Sequence, residues 1–267
     1  MKISVFGSGY VGLVTSACFA DSGHKVCCFD IDLEKITNLK RGDIEIYEPG
    51  LKKMVLRNQK DKRLEFSSSS TKAINFSEFI FICVGTPEKR DGSADLKFVN
   101  NVIDSISREA SEDKFVVIKS TVPPGTGNEI QKILDNRRFK KKIAVNVASN
   151  PEFLREGSAI QDFLKPDRVI IGTRHRVFKK KFEKLYSKVH TNKKIIFMDI
   201  LSAELTKYAS NAMLATKISF INEIANISDL IGANIDLVKE GLGSDKRIGS
   251  SFINPGAGYG GSCFPKD

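Results

Sequence analysis

The amino-acid sequence predicts an α/β fold: a doubly wound parallel sheet followed by one long helix. Three observations carry this. Short apolar runs alternate with helical segments over residues 1–199. The run at 78–84 is apolar throughout rather than on alternate positions, as a strand covered on both faces requires. Residues 201–231 contain neither proline nor glycine and repeat apolar side chains every three or four positions, a helical period.

The elements follow in order. Residues 2–6 (Lys-Ile-Ser-Val-Phe) form a strand, and Gly7-Ser8-Gly9-Tyr10-Val11-Gly12 follows at once and opens a helix reaching Asp21. Gly23-His24 ends that helix, and residues 25–29 form a second strand ending on Asp30-Ile31-Asp32. Helices are expected at 33–39 and 49–59, strands at 63–66 and 78–84, a helix at 97–110, a strand at 115–119, a helix at 127–136 and a strand at 142–147. Asn150 then suits an N-cap and Pro151 a first helical position, which would set Glu152 and Glu156 on one helix face. Strands at 168–172 and 195–199 flank a helix at 176–188. Residues 201–231 form the long helix, about 45 Å at roughly 1.5 Å per residue. Its apolar face is Leu205, Tyr208, Ala212, Ala215 and Ile218. A helix of that length links two domains or forms a dimer interface.

The glycine segment is GxGxxG in its required setting of strand, turn and helix. Gly7 permits the tight turn, Gly9 lets a pyrophosphate approach the backbone, and Gly12 lets helix and strand pack closely. The helix N-terminus faces the phosphates. Asp30, directly after the second strand, stands where the adenosine ribose hydroxyls would be held. Its charge repels a 2′-phosphate, so NAD is expected rather than NADP. This is a Rossmann-like arrangement, in which ligands sit at the carboxyl ends of the strands. Gly85-Thr86-Pro87, Ser120-Thr121-Val122-Pro123 and Asn150-Pro151-Glu152 all fall at such ends. Each alone is also ordinary turn chemistry.

Composition narrows the function. The chain has 267 residues, 41% of them hydrophobic, enough for one or two domains with cores. Five cysteines, Cys18, Cys27, Cys28, Cys83 and Cys263, make an odd count, and four lie in apolar segments, which fits reduced thiols in the cytoplasm. The net charge is +10, and the densest lysine runs are at 140–142 and 179–181. Neither run is interleaved with aromatics in the manner of a single-strand binder, so no nucleic acid partner is expected. The apolar start resembles a signal peptide but is broken by Gly7, Gly9 and Gly12, and no stretch is long enough to span a membrane. No metal site is expected.

The end of the sequence draws most attention. Residues 254–267 (Asn-Pro-Gly-Ala-Gly-Tyr-Gly-Gly-Ser-Cys-Phe-Pro-Lys-Asp) set one cysteine, Cys263, among glycines. A packing cysteine sits in an apolar run, whereas a thiol on a glycine-rich turn can be a nucleophile. Lys207 and Asn211 are four apart on the long helix and can point at one target; from position alone Lys207 reads as a surface lysine.

With these residues in place, the chain resembles the UDP-glucose/GDP-mannose dehydrogenase family, from residue 1 to residue 267. Gly-Ser-Gly-Tyr-Val-Gly, Lys-Ser-Thr-Val-Pro-Pro-Gly-Thr, Asn-Pro-Glu-Phe-Leu-Arg-Glu-Gly and Gly-Tyr-Gly-Gly-Ser-Cys-Phe-Pro-Lys-Asp carry the resemblance. It implies oxidation of a sugar-nucleotide alcohol to a carboxylate in two NAD-dependent steps, through a Cys263 thiohemiacetal and thioester. It implies catalytic roles for Cys263, Lys207, Asn211, Asp267, Glu152 and Thr121. Gly7, Gly9, Tyr10, Val11, Gly12, Asp30, Lys35, Thr86, Thr121, Glu156 and Cys263 would contact the cofactor. Glu152, Phe153, Leu154, Lys207, Asn211, Arg247, Asn254, Gly256, Tyr259 and Gly260 would contact the substrate. The segment 252–256 resembles members acting on UDP-glucose, giving UDP-glucuronate; GDP-mannose and UDP-N-acetylmannosamine are the alternative substrates. A homodimer through the long helix is expected. The expected domains are 1–198, binding NAD, and 199–267, the helix and part of a helical domain. Family members continue into a further domain that closes over the nucleotide sugar, so the 267 residues are expected to bind NAD with turnover weak or absent. A non-catalytic cofactor-binding and dimerisation module is the rival of a different class.

Overall fold

A computed structural model describes residues 1–137, 139, 142–189, 195–261, 264–265 and 267. The chain forms two compact units, Met1–Leu205 and Thr206–Asp267. The elements of the first unit are β1 (Lys2–Phe6), α1 (Tyr10–Asp21), β2 (Lys25–Phe29), α2 (Leu33–Arg41), α3 (Leu51–Lys60), β3 (Leu64–Ser67), α4 (Ser70–Phe76), β4 (Phe79–Ile82), α5 (Lys97–Glu109), β5 (Lys114–Ile118), α6 (Thr126–Asp135), β6 (Val145–Ser149), α7 (Ala159–Leu164), β7 (Val169–Gly172), α8 (Arg176–Tyr186) and β8 (Ile195–Met198). The long helix α9 (Ile200–Ile231) begins in this unit and continues into the second, where α10 (Ile235–Ser244) follows.

Among the described residues, eight strands form one sheet in the order β3-β2-β1-β4-β5-β6-β7-β8. The strand order reverses between β1 and β4, so the carboxyl ends of these two strands border the crevice where a doubly wound sheet takes its ligand. Successive residues of the central strands serve opposite faces. Ile3, Val5, Phe79, Phe81 and Val117 pack into one core, and Phe6, Ile80, Ile82, Val116 and Ile118 into the other. Helices on both faces explain why these strands are apolar throughout.

Four expectations need correction. The sheet is not wholly parallel, because β7 meets β6 antiparallel, pairing Gly172 with Ser149. Beyond Ser149 a side chain turns the chain, the Asn150 amide donating to the Ile170 carbonyl at 3.0 Å. The strand expected at 142–147 runs instead over Val145–Ser149, the Ala144 N–H being taken by Asp113. The helix α4 was not foreseen; Ser69 caps it by accepting from the Lys72 N–H. The surface-lysine reading of Lys207 is the fourth: the apolar face named on α9 has Leu205 and Ala212 exposed and Tyr208, Ala215 and Ile218 half-buried, while Ala203, Glu204, Lys207 and Asn211 are buried. Lys207 is therefore not a surface lysine.

Candidate functional site

The glycine turn is built by close backbone contacts. Gly7 donates to the Phe29 carbonyl at 2.8 Å and has φ +101°, which favours glycine. A Cβ at Gly7 would lie 2.6 Å from the Cys83 carbonyl oxygen, and one at Gly12 would lie 1.9 Å from that of Gly7. A Cβ at Gly9 would meet nothing within 4 Å. Gly9 is the N-cap of α1; no side chain caps it, and the first turn holds no acid. The turn thus offers amide N–H groups, the positive end of a helix dipole and room at Gly9, which fits a dinucleotide pyrophosphate. Tyr10 and Val11 lie half-buried in that first turn.

Asp30 ends β2 beside this turn. Its Oδ2 accepts from the Ser8 N–H and the Ser8 hydroxyl, both at 2.7 Å, and its Oδ1 from the Asp32 N–H at 3.2 Å. Burial pushes the carboxyl up, but the Ser8 and Asp32 donors and the Lys35 charge outweigh it and hold it below the usual range. Asp30 is therefore an anion fixed at the edge of the turn. Lys35 lies in the first turn of α2, its N–H capped by Asp32. At the ends of β4 and β5, the Thr86 hydroxyl donates to the Thr121 carbonyl at 2.8 Å and the Ser120 hydroxyl to the Val84 carbonyl at 2.6 Å.

The segment after β6 is a loop, not the helix its Asn-Pro-Glu start suggests. Asn150 does not cap it: its Oδ1 accepts from the buried Tyr186 hydroxyl at 2.7 Å while its amide binds Ile170. Glu152 is buried and accepts from the Leu154 N–H at 2.7 Å. Glu156 is exposed, so the two carboxylates do not share a helix face. Phe153 stacks under Arg168, whose guanidinium is 4.0 Å from the ring centre. Arg155 is held by Asp162 through its N–H at 2.9 Å and its guanidinium at 2.7 Å.

Two glutamates not singled out from the sequence hold these loops. Glu48, buried ahead of α3, accepts from the Tyr10 hydroxyl, from the Gly157 N–H at 2.9 Å and from the Ile160 N–H at 3.2 Å. Burial, then the Glu48 hydrogen bond, push the Tyr10 phenol up to about 12, so it remains a donor. Glu204, at the start of α9, accepts from the Gly125 N–H at 2.6 Å and the Gly127 N–H at 2.8 Å, closing the N-terminus of α6 just beyond Thr121. No local pattern marks either residue, because their partners lie far along the chain.

Glu204 gives the first unit a pH signature. Burial pushes its carboxyl up from the ordinary 4.5 to about 7, against the pull of the two N–H groups. Raised in the folded state, this group contributes stability that is complete below about 4.5 and is lost as pH rises through 7. His24, buried with Nε2 donating to the Leu185 carbonyl, acts in the opposite sense. Burial, then the Met1 amino group, press it down to about 4, so its contribution is lost as pH falls from 6.5 toward 4. Thermal melts from pH 4 to 8 are expected to show a shallower acid limb for His24→Asn and a shallower neutral limb for Glu204→Gln.

The second unit gathers another set. Lys207 Nζ lies 3.5 Å from Asn211 Oδ1, and Asn211 Nδ2 donates to Asp267 Oδ2 at 2.7 Å. Lys207 and Asn211 are both buried. Arg247 is exposed and forms a bidentate pair with Asp245, Nε lying 3.1 Å from both carboxylate oxygens. The Gly256 N–H donates to Asn222 Oδ1 at 2.8 Å, Tyr259 meets the Phe264 ring edge-on at 6.3 Å, and Asn254 and Gly260 are exposed. Cys263 lies outside the described residues. The other four cysteines are buried, and burial first of all pushes Cys27, Cys28 and Cys83 up to about 12 and Cys18 further still. Among the described residues, no group of three or more His, Cys, Asp or Glu could hold a metal ion, and no helix is long and apolar enough to cross a membrane.

Residues 1–190 match the NAD-binding domain of the UDP-glucose/GDP-mannose dehydrogenase family, and residues 201–267 match its central domain. A UDP-glucose 6-dehydrogenase of Bacillus subtilis is 48% identical over 267 residues, covering 100% of this chain and 60% of that protein. One from Pseudomonas aeruginosa is likewise 48% identical, over 271 residues, with the same coverage. The solved UDP-glucose dehydrogenase of Pyrobaculum islandicum superposes with a TM-score of 0.94 at 41% identity, over 99% of this chain and 61% of that one. The GDP-mannose dehydrogenase of Pseudomonas aeruginosa gives 0.87 at 36% identity, over 100% and 62%. The chain thus spans about 60% of the length of these relatives.

Proposed function

Because the chain belongs to the UDP-glucose/GDP-mannose dehydrogenase family, we propose that its residues carry out the NAD-dependent oxidation of UDP-glucose to UDP-glucuronate. The observation that carries the chemistry is the Lys207–Asn211–Asp267 group: a buried cation, a buried amide and a half-buried carboxylate, the last four positions after Cys263 in the sequence. The relatives at 48% identity support UDP-glucose as the sugar.

NAD, when bound, supplies the hydride acceptor for both oxidations. Gly7, Gly9 and Gly12 hold its pyrophosphate and Asp30 its adenosine ribose, with Lys35, Thr86 and Glu156 as further contacts. An aldehyde carries no hydride it can give until a nucleophile makes it tetrahedral. The Cys263 sulfur therefore adds to the C6 carbonyl, and the oxygen becomes the hydroxyl of a thiohemiacetal. Loss of its C–H hydride and its O–H proton leaves a thioester. Water adds to that carbonyl, the carbon–sulfur bond breaks, and the carboxylate leaves while the thiol is restored. Lys207 and the Asn211 amide stabilise the oxyanion at each tetrahedral stage. Asp267 and Thr121 position water and assist its proton transfer, and Glu152 is the acid/base of thioester hydrolysis. Phe153, Leu154, Arg247, Asn254, Gly256, Tyr259 and Gly260 hold the nucleotide sugar. The exposed Met213, Phe220, Ile227 and Leu230 on α9 support a homodimer through this helix, and the reduced thiols support a cytoplasmic location.

Two assays test this. Activity on UDP-glucose is expected to exceed that on GDP-mannose and UDP-N-acetylmannosamine by about tenfold or more in kcat/KM; a preference for either rival sugar overturns the substrate. In alkylation mapping, Cys263 is expected to react at least about tenfold faster than Cys18, Cys27, Cys28 and Cys83, with NAD changing its rate. Uniform slow labelling of all five would remove the nucleophile.

A further inference from the structure

The loop carrying Glu152 has no regular structure of its own to fix it, yet it is pinned at a point remote from Glu152. That pin is Glu48. Its Oε2 takes both the Tyr10 hydroxyl and the Gly157 N–H, and its Oε1 takes the Ile160 N–H where α7 begins. The Tyr10 hydroxyl also accepts from the Gly157 N–H at 2.9 Å. Tyr10 is the first residue of α1, between Gly9 and Gly12 of the glycine turn. One carboxylate, 5% exposed, therefore joins the turn to the loop. Its hydrogen bonds to charge in a buried setting are of the strong kind. The Arg155–Asp162 contacts and the Phe153–Arg168 stack close the loop on its own neighbourhood but do not reach the turn.

We infer that Glu48 is a positioning residue: through Tyr10 it couples the 151–158 loop, and Glu152 within it, to occupancy of the glycine turn by NAD. This rests on the reading of that turn as the NAD site and of Glu152 as a catalytic group. A dinucleotide on the turn restrains the start of α1 and hence Tyr10. Restraint of Tyr10 then holds Gly157 through the shared carboxylate. The loop is ordered when the cofactor is present and looser when it is absent, a linkage between two places in one unit.

The test is hydrogen exchange of the Gly157 and Ile160 amides in the full chain, with and without saturating NADH, alongside a separate NADH fluorescence titration. In the unaltered chain NADH is expected to slow both amides by about fivefold or more. Glu48→Gln is expected to speed their exchange about tenfold without cofactor and to abolish the NADH effect while NADH still binds. Loss of protection with the NADH effect retained would make Glu48 merely structural and overturn the coupling, as would exchange unchanged from the unaltered chain. Should Glu48→Gln unfold the sheet, Tyr10→Phe decides the matter. It keeps the Glu48–Gly157 bond and removes the phenol's bonds to Glu48 and Gly157, so at NADH concentrations that the titration shows to be saturating for this variant the slowing by NADH should vanish, whatever the exchange without cofactor; its survival overturns the inference. The titration separates the two readings: absent binding refutes the cofactor site, whereas binding with no effect on the loop refutes the coupling.

Discussion

Replacing Gly12 with alanine is expected to abolish NADH binding and to destabilise the first unit, whereas alanine at Gly9 is expected to abolish binding alone. The added Cβ at Gly12 would stand 1.9 Å from the Gly7 carbonyl oxygen and 3.2 Å from the Cys83 Cβ. Both neighbours are fixed, the carbonyl by the backbone of the turn and Cys83 by the sheet. Relief requires α1 to lift from β1, which opens a core holding Leu13, Val14, Ala17 and Phe19. Overpacking of this kind costs about 1–3 kcal/mol and more where backbone is the obstacle. Gly9 differs: its φ of −68° suits alanine, and a Cβ there meets nothing within 4 Å. The new methyl takes only the space a phosphate needs. A thermal melt and an NADH titration of both variants check this. Near-normal binding by Gly12→Ala, or a large loss of stability in Gly9→Ala, would show that the turn is misread.

Removing the Lys207 cation is expected to lower turnover of UDP-glucose by about a hundredfold to a thousandfold, the usual effect of losing one oxyanion donor, with NADH binding unchanged. Lys207 is buried and its Nζ faces the Asn211 amide oxygen, which leaves the Asn211 Nδ2 to Asp267. A methionine keeps the length and apolar stem of the side chain and deletes the charge, so Lys207→Met isolates the electrostatic part. Asn211→Ala should lower turnover less on its own. The double variant should fall short of the product of the two, since both groups serve one charge. Initial rates of NADH formation read the effect. A fall of less than about tenfold for Lys207→Met would remove Lys207 from the chemistry.

The glycine turn and Asp30 were legible because they are local: strand, glycines, helix and acid follow one another within residues 2–30. Sheet class was legible for a similar reason, since continuous apolar runs need two covered faces. The Asn150 loop was misread because Asn-Pro-Glu carries every mark of a helix start. What overrides those marks is tertiary, as Asn150 turns to Ile170 and Tyr186, 20 and 36 residues away. Glu48 and Glu204 were invisible for the same cause: their partners are backbone N–H groups as far as 112 and 79 residues away. The burial of Lys207 was hidden by the apolar period of α9, which pointed to Leu205 and Ala212, both exposed. Glu204 and Asn211 on the buried face meet partners as far as 79 and 56 residues away, which no helical period marks.

The central claim is a four-electron oxidation through Cys263, and the yield of NADH per molecule of limiting UDP-glucose, with excess NAD and this chain, tests it most directly. Yield does not depend on rate, so slow turnover does not obscure it. Two NADH per sugar are expected, one from the alcohol and one from the thiohemiacetal. One NADH per sugar would mean that the reaction stops at the aldehyde and that Cys263 forms no thioester. No NADH, with the cofactor still binding, would contradict the assignment of this oxidation to the chain.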